Sequence, residues 1–175
     1  MFEMQRASSA HAFSAADSRI TYMNHDEHQR FQPSPSLLDA TRDSYREAIY
    51  RIDIEPVVEM KIGEHNADVA SLLSRHHVFS AVFVTAFNPF GHVLEPAHNA
   101  KRQCLLIDHI ERAGLHALPG AGIDPKGKWI AEASLFVLGT TRQFADALMQ
   151  KFEQNAVVYV DAAGLPCLLW HPVYR

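Results

Sequence analysis

The chain has 175 residues, 47% of them hydrophobic and 21% charged, with a formal net charge of -4. That length accommodates one domain with a substantial core, and the acidic balance removes the global field that nonspecific binding of nucleic acid or anionic lipid requires. The two cysteines, Cys104 and Cys167, form no CxxC pair, which excludes a zinc ribbon and a dithiol redox centre.

The N-terminal stretch lacks the continuous apolar core of a secretion signal, and no segment is apolar for long enough to cross a bilayer. The expected setting is cytoplasmic, with neither membrane nor nucleic acid as a partner. Residues 1–35 are rich in Ser, Ala, His and Gln and close on Pro33 and Pro35. They are expected to form a polar N-terminal arm, mobile or docked, with residues 36–175 making a single α+β domain. The arm's His25, Asp26, Glu27 and His28 have metal-binding side chains, but a solvated tail explains them, since no third ligand lies nearby on a rigid element.

Ser36 followed by Asp39 has the S-x-x-D capping pattern, and Leu37, Leu38, Thr41, Tyr45, Ala48 and Ile49 recur at helical spacing. Together they predict a helix over 36–50. Beyond Pro56, residues 57–62 alternate loosely and predict a strand that ends at Gly63. Asn66 is placed to cap a second helix carrying Val69, Ala70, Leu72 and Leu73, with His76 and His77 at the negative end of its dipole. Then comes an almost wholly apolar run, 81–84, rich in β-branched and aromatic residues and stopped by Asn88 and Pro89. It reads as a strand buried on both faces, and strand, helix, strand together predict a parallel crossover unit.

A helix follows, with Pro96 in its first turn and Gly114 at its end. Ala97, Ala100, Cys104, Ile107 and Ile110 form its expected inner stripe, making Cys104 a core residue, while Asn99 and Arg102 fall on a different face. Residues 118–128 are dense in Gly and Pro and predict a loop in which Gly120, Gly122 and Gly127 shape a turn. Trp129 leads into a second apolar strand, 134–138. Thr140 with Gln143 forms a capping box ahead of a helix bearing Phe144, Leu148 and Phe152. Residues 156–160 and 165–170 read as a closing hairpin, with Pro166 marking a sheet edge. The sum is an α+β domain: a mixed sheet of about five strands with three to four helices packed mostly on one side.

Four blocks stand in order along the chain: Phe83-Val-Thr-Ala-Phe-Asn-Pro89, Asn99-Ala-Lys-Arg102, Gly122-Ile-Asp-Pro-Lys-Gly-Lys-Trp-Ile-Ala-Glu-Ala-Ser134 and Phe152-Glu-Gln-Asn-Ala156. In these the chain resembles a small bacterial family catalogued as domain of unknown function 3293, over roughly residues 45–170. The family has no assigned activity, so the resemblance implies a fold unit and no reaction.

The candidate site is a polar cluster of Thr85, Asn88, Asn99, Arg102, Glu132 and Ser134. A loop after a buried strand, the first turn of the next helix and an adjacent strand can converge there, and a guanidinium beside free helix amides suits a carboxylate or phosphate. The expected ligand is therefore a small anion near the Asn88 loop, with Glu132 the weak candidate for a catalytic base should burial raise its pKa. Whether the protein is an enzyme stays open. A competing reading has Asn88 capping its own turn and Arg102 pairing with Glu132 merely to order the loop. Gln154 and Asn155 read as caps of the last helix, and Trp129 as either core or a stacking platform. His92 and His98 lack metal-ligand spacing, so neither metal nor cofactor is expected. The alternative function is a noncatalytic interaction or self-association module, which uses the hairpin edge and the N-terminal arm to pair with a partner or with itself as a homo-oligomer.

Overall fold

Seven strands and four helices alternate irregularly over residues 30–175, the part of the chain described in the computed structural model. In order they are α1 (Asp39–Glu47), β1 (Ile49–Ile52), β2 (Val58–Met60), α2 (Ala67–Arg75), β3 (Ser80–Val84), α3 (Pro96–Arg112), β4 (Ala117–Ile123), β5 (Glu132–Leu138), α4 (Arg142–Lys151), β6 (Ala156–Asp161) and β7 (Pro166–Trp170). Phe31–Arg175 form one unit. The histidine and carboxylate group at 25–28 lies outside the described residues.

All strands join one sheet in the order β2-β1-β4-β5-β3-β6-β7, and every pairing is antiparallel. This corrects the expected mixed sheet of about five strands. β2 and β3 do run in the same direction, but β1, β4 and β5 lie between them, so no adjacent parallel unit forms. The apolar run is an interior strand as read, with β5 on one side (Phe83 opposite Phe136) and β6 on the other (Phe83 opposite Val158).

The sheet carries helices on both faces, which corrects the one-sided packing. Ala81 and Phe83 of β3, Phe136 of β5 and Val158 of β6 face Val69, Leu72 and Leu73 of α2. The alternate residues Val82, Val84, Val137 and Val157 face Leu106 and Ile110 of α3 and Leu148 and Met149 of α4. The period-two pleat explains the split, since each strand delivers successive side chains to opposite cores. Because both faces are dry, β3 needs apolar residues at every position, which is why it reads as a continuous run.

Two strands lay hidden in the sequence. β1 occupies what the helical spacing assigned to the end of the first helix; α1 stops at Glu47 and begins only at Asp39, with no side-chain cap from Leu38 and no part for Ser36. β4 runs through the Gly- and Pro-rich segment expected to be a loop. Pro119 fits there because the β1 ladder ends beside it: Asp53 N–H donates to its carbonyl at 2.8 Å, and the donor that proline lacks falls beyond the last pair. At Gly120 a Cβ would lie 2.3 Å from the Arg51 carbonyl oxygen and 2.9 Å from the Phe83 ring, so the residue permits close strand approach and makes no turn.

Helix ends follow local chemistry. Asn66 caps α2 by accepting from Val69 N–H at 3.0 Å, as expected. α4 is capped by Thr141, which accepts from Phe144 N–H at 3.1 Å, one residue later than the capping box suggested. The buried stripe of α3 is Asn99, Gln103, Leu106 and Ile110, whereas Cys104 is exposed. That corrects the predicted stripe and the core role for Cys104. Pro166 does open the edge strand β7. Among the described residues no helix is long and apolar enough to cross a membrane.

Candidate functional site

The inner face of α3 begins polar because the loop leaving β3 has backbone groups to satisfy. Residues 85–88 leave the sheet beside α3, and buried N–H and C=O groups require partners. Gln103 accepts from Ala86 N–H at 3.0 Å, and Asn99 accepts from Asn88 N–H at 2.9 Å. Arg102 completes the set by donating from Nε to the Ala86 carbonyl at 2.8 Å. Its remaining nitrogens reach the far side, with Nη2 donating to the Phe152 carbonyl at 2.8 Å and Nη1 pairing with Glu153 at 3.2 Å. Arg102 is thus a rivet between the β3 exit and the end of α4. Its carboxylate partner is Glu153 and not Glu132.

Asn88 itself sits in the left-handed region (φ 46°, ψ 63°), which a short amide side chain tolerates better than most. Its Oδ1 accepts from Leu94 N–H at 3.0 Å and from Asn99 Nδ2 at 2.9 Å. Its Nδ2 donates to Glu132 Oε1 at 2.6 Å. The sequence-predicted residues therefore divide. Asn88, Asn99 and Glu132 come together in one chain of hydrogen bonds, and Arg102 turns away from it.

Thr85, Asn88, Glu132 and Ser134 line a cavity of about 510 Å³ between α1 and the sheet. Tyr50, Phe83, Val158 and Leu168 supply an apolar floor, Trp129 a wall and exposed Lys128 part of the rim. No residue of α3 lines it, so the start of that helix is not part of the cavity. The two hydroxyls are committed within the protein: Thr85 donates to the Ala133 carbonyl at 2.7 Å and Ser134 to the Glu132 carbonyl at 3.0 Å. Burial raises the Glu132 carboxyl above its ordinary value, with the Asn88 amide opposing.

α1 contributes Tyr45. Its phenol is pushed up to about 12, mainly by burial, with the Asn155 amide opposing and the Glu132 charge adding to the rise. It therefore remains a neutral O–H at physiological pH. The helix is held over the sheet by the Tyr45 ring edge-on to Trp170 (5.6 Å between centroids), by the Arg42 guanidinium over the same indole and by an ion pair from Glu47 to Lys126.

Sequence reasoning missed the roles of Tyr45 and Asn155. Tyr45 was one position in a helical stripe, with nothing to mark its hydroxyl. Gln154 does serve the end of α4, donating to the Phe87 and Phe152 carbonyls, each at 3.0 Å. Asn155 is 3% exposed and lines the cavity, and its Oδ1 has no hydrogen-bond partner. Two consecutive amides directly ahead of an apolar strand were the available signal. His92 lies beside the Phe31 ring, and among the described residues no three His, Cys, Asp or Glu side chains gather as a metal site would require.

Fold and cavity together define the class: an α+β domain built on a seven-stranded antiparallel sheet, with a partly polar cavity roofed by a surface helix. Residues 84–157 match the model of a family described as protein of unknown function (DUF3293), running from the last residue of β3 into β6 and carrying Asn88, Glu132 and Asn155. The resemblance read from the sequence blocks is shown over that stretch. No curated protein and no solved structure matches the chain.

Proposed function

We propose that the domain binds a small organic molecule in the cavity beneath α1, with Asn88, Glu132, Asn155 and Tyr45 as its polar contacts. One observation carries this reading: a buried carbonyl oxygen, Asn155 Oδ1, is left unpaired in the wall of a cavity of about 510 Å³. Cavities of that size with an apolar floor and a few converging polar groups are where small ligands bind, and an orphaned buried acceptor costs about 1–3 kcal/mol unless something supplies a donor. Support for an anionic ligand is weak, because Arg102 spends its fork on Ala86, Phe152 and Glu153. Among the described lining residues only rim Lys128 favours an anion, and half-buried Glu132 opposes one. The reading stops at binding, although Glu132 is the cavity group whose raised pKa would suit proton transfer.

A fragment library screened by protein-observed NMR tests it. Hits should move the amide signals of Gly122, Trp129 and Val158, and Ser44→Trp, which places an indole at the cavity wall, should abolish them. Hits that map elsewhere, or survive Ser44→Trp in a folded variant, overturn the reading.

A further inference from the structure

Resting on that cavity, we propose that its occupant is an organic cation, a molecule that presents a primary ammonium or amidinium group to Glu132 and Asn155 and lays an apolar body against Trp129, Tyr50 and Phe83. On the polar wall four side chains spend their donors inside the protein, Thr85 Oγ1 on Ala133, Ser134 Oγ on Glu132, Asn88 Nδ2 on Glu132 and Gln154 Nε2 on Phe87 and Phe152, which leaves the Asn155 amide N–H and the Tyr45 hydroxyl, paired with each other, as the remaining donors. The acceptors are not consumed. Asn155 Oδ1 has no partner, and among the described residues Asn88 is the only hydrogen-bond donor to the Glu132 carboxylate, through Oε1 alone. A wall with spare acceptors selects a ligand rich in N–H, because each acceptor left dry is a cost that the wrong ligand cannot remove.

Charge points the same way. Among the described residues Glu132 is the only carboxylate lining the cavity, and the one cation, Lys128, is an exposed rim residue screened by water and salt. The aromatic lining adds to this. Tyr45, Tyr50, Phe83 and Trp129 border one space, Tyr50 and Phe83 meeting edge-to-face at 5.4 Å, and aromatic faces attract a cation and accept the apolar body attached to it. The Tyr45 hydroxyl, neutral and able to accept as well as donate, is compatible with an ammonium neighbour.

Four probes of matched size separate the classes when titrated into the full chain by protein-observed NMR: phenethylamine, benzamidine, 2-phenylethanol and 3-phenylpropanoate. The two cations should bind at least about tenfold more tightly than the alcohol, as a charge-assisted hydrogen bond to a half-buried carboxylate requires. Glu132→Gln, which keeps an acceptor for Asn88, should remove that advantage. If the alcohol or the carboxylate binds in the cavity as tightly as the amines, the cation inference fails while the cavity stands. If Glu132→Gln remains folded and the amines keep their affinity, the inference fails as well. If no probe moves the cavity signals, both readings fall.

Discussion

At the scale of single residues, Glu132 holds two properties in tension. Its carboxyl titrates above the ordinary value because burial strips water from the charged form. Between the unfolded value, about 4.3, and the raised folded one, the native state binds a proton that the unfolded chain has released. Stability therefore falls as pH rises through that window and levels off above it. Glu132→Gln escapes this loss. Its melting temperature should exceed the wild type's by more at pH 8 than at pH 4, and a gap that stays constant or reverses in differential scanning fluorimetry would count against a strained carboxylate. Arg102 is the opposite case. With side-chain exposures of 19% for Arg102 and 13% for Glu153, deleting the guanidinium leaves a largely buried carboxylate without its countercharge and the Ala86 carbonyl without its donor, while Gln154 still serves the Phe152 carbonyl. Arg102→Ala should cost about 3 kcal/mol in urea unfolding, and Arg102→Lys should recover less than half, because an ammonium cannot span three acceptors. A loss under about 1 kcal/mol would show the rivet to be ornamental. The sequence made Arg102 visible as a charged residue beside a loop, but its direction depends on where the α4 end lies, and no local pattern encodes that. Asn88 and Glu132 were legible because a turn-forming amide after an apolar strand and a carboxylate at the head of another strand mark the same end of a sheet.

At the scale of elements, periodicity located helices well and misjudged which side faces in. In α3 the apolar spacing favoured Ala97, Ala100, Cys104 and Ile107, yet the buried residues at its start are Asn99 and Gln103. The reason is backbone demand: the loop beside that turn exposes N–H groups that only polar side chains can satisfy, and this outweighs apolar burial. Cap signals held at Asn66, fell one residue early at Thr140 and failed at Ser36, where α1 starts without a side-chain cap. Thr141, not Thr140, receives the Phe144 N–H, so Thr141→Ala should destabilise the domain by about 1 kcal/mol in denaturant titration. An unchanged midpoint would mean that water caps the helix equally well. β1 and β4 escaped detection for different reasons, one appended to a helical stripe without a break, the other written in glycine and proline that normally punctuate loops. Only the pairing of β4 with β1 and β5 shows why those residues are strand residues here.

For the whole molecule, the class α+β was readable and the sheet's direction was not. Apolar runs without alternation usually mark parallel sheets because crossover helices cover both faces. Here α2 on one face and α3 with α4 on the other cover an antiparallel sheet just as fully, and the same run results. The strand order has a temporal consequence. β3 is the greasiest strand, yet it must wait for β5 and for β6, both made much later, before either of its edges is closed. Chain entropy must be spent on distant encounters before any of them is rewarded, so refolding should take milliseconds to seconds, not microseconds. Stopped-flow tryptophan fluorescence can time it, and completion within the dead time would contradict this. During synthesis the same geometry leaves a bare, sticky ribbon emerging from the ribosome long before its mates, and chains truncated between α3 and β5 should precipitate where the complete one does not.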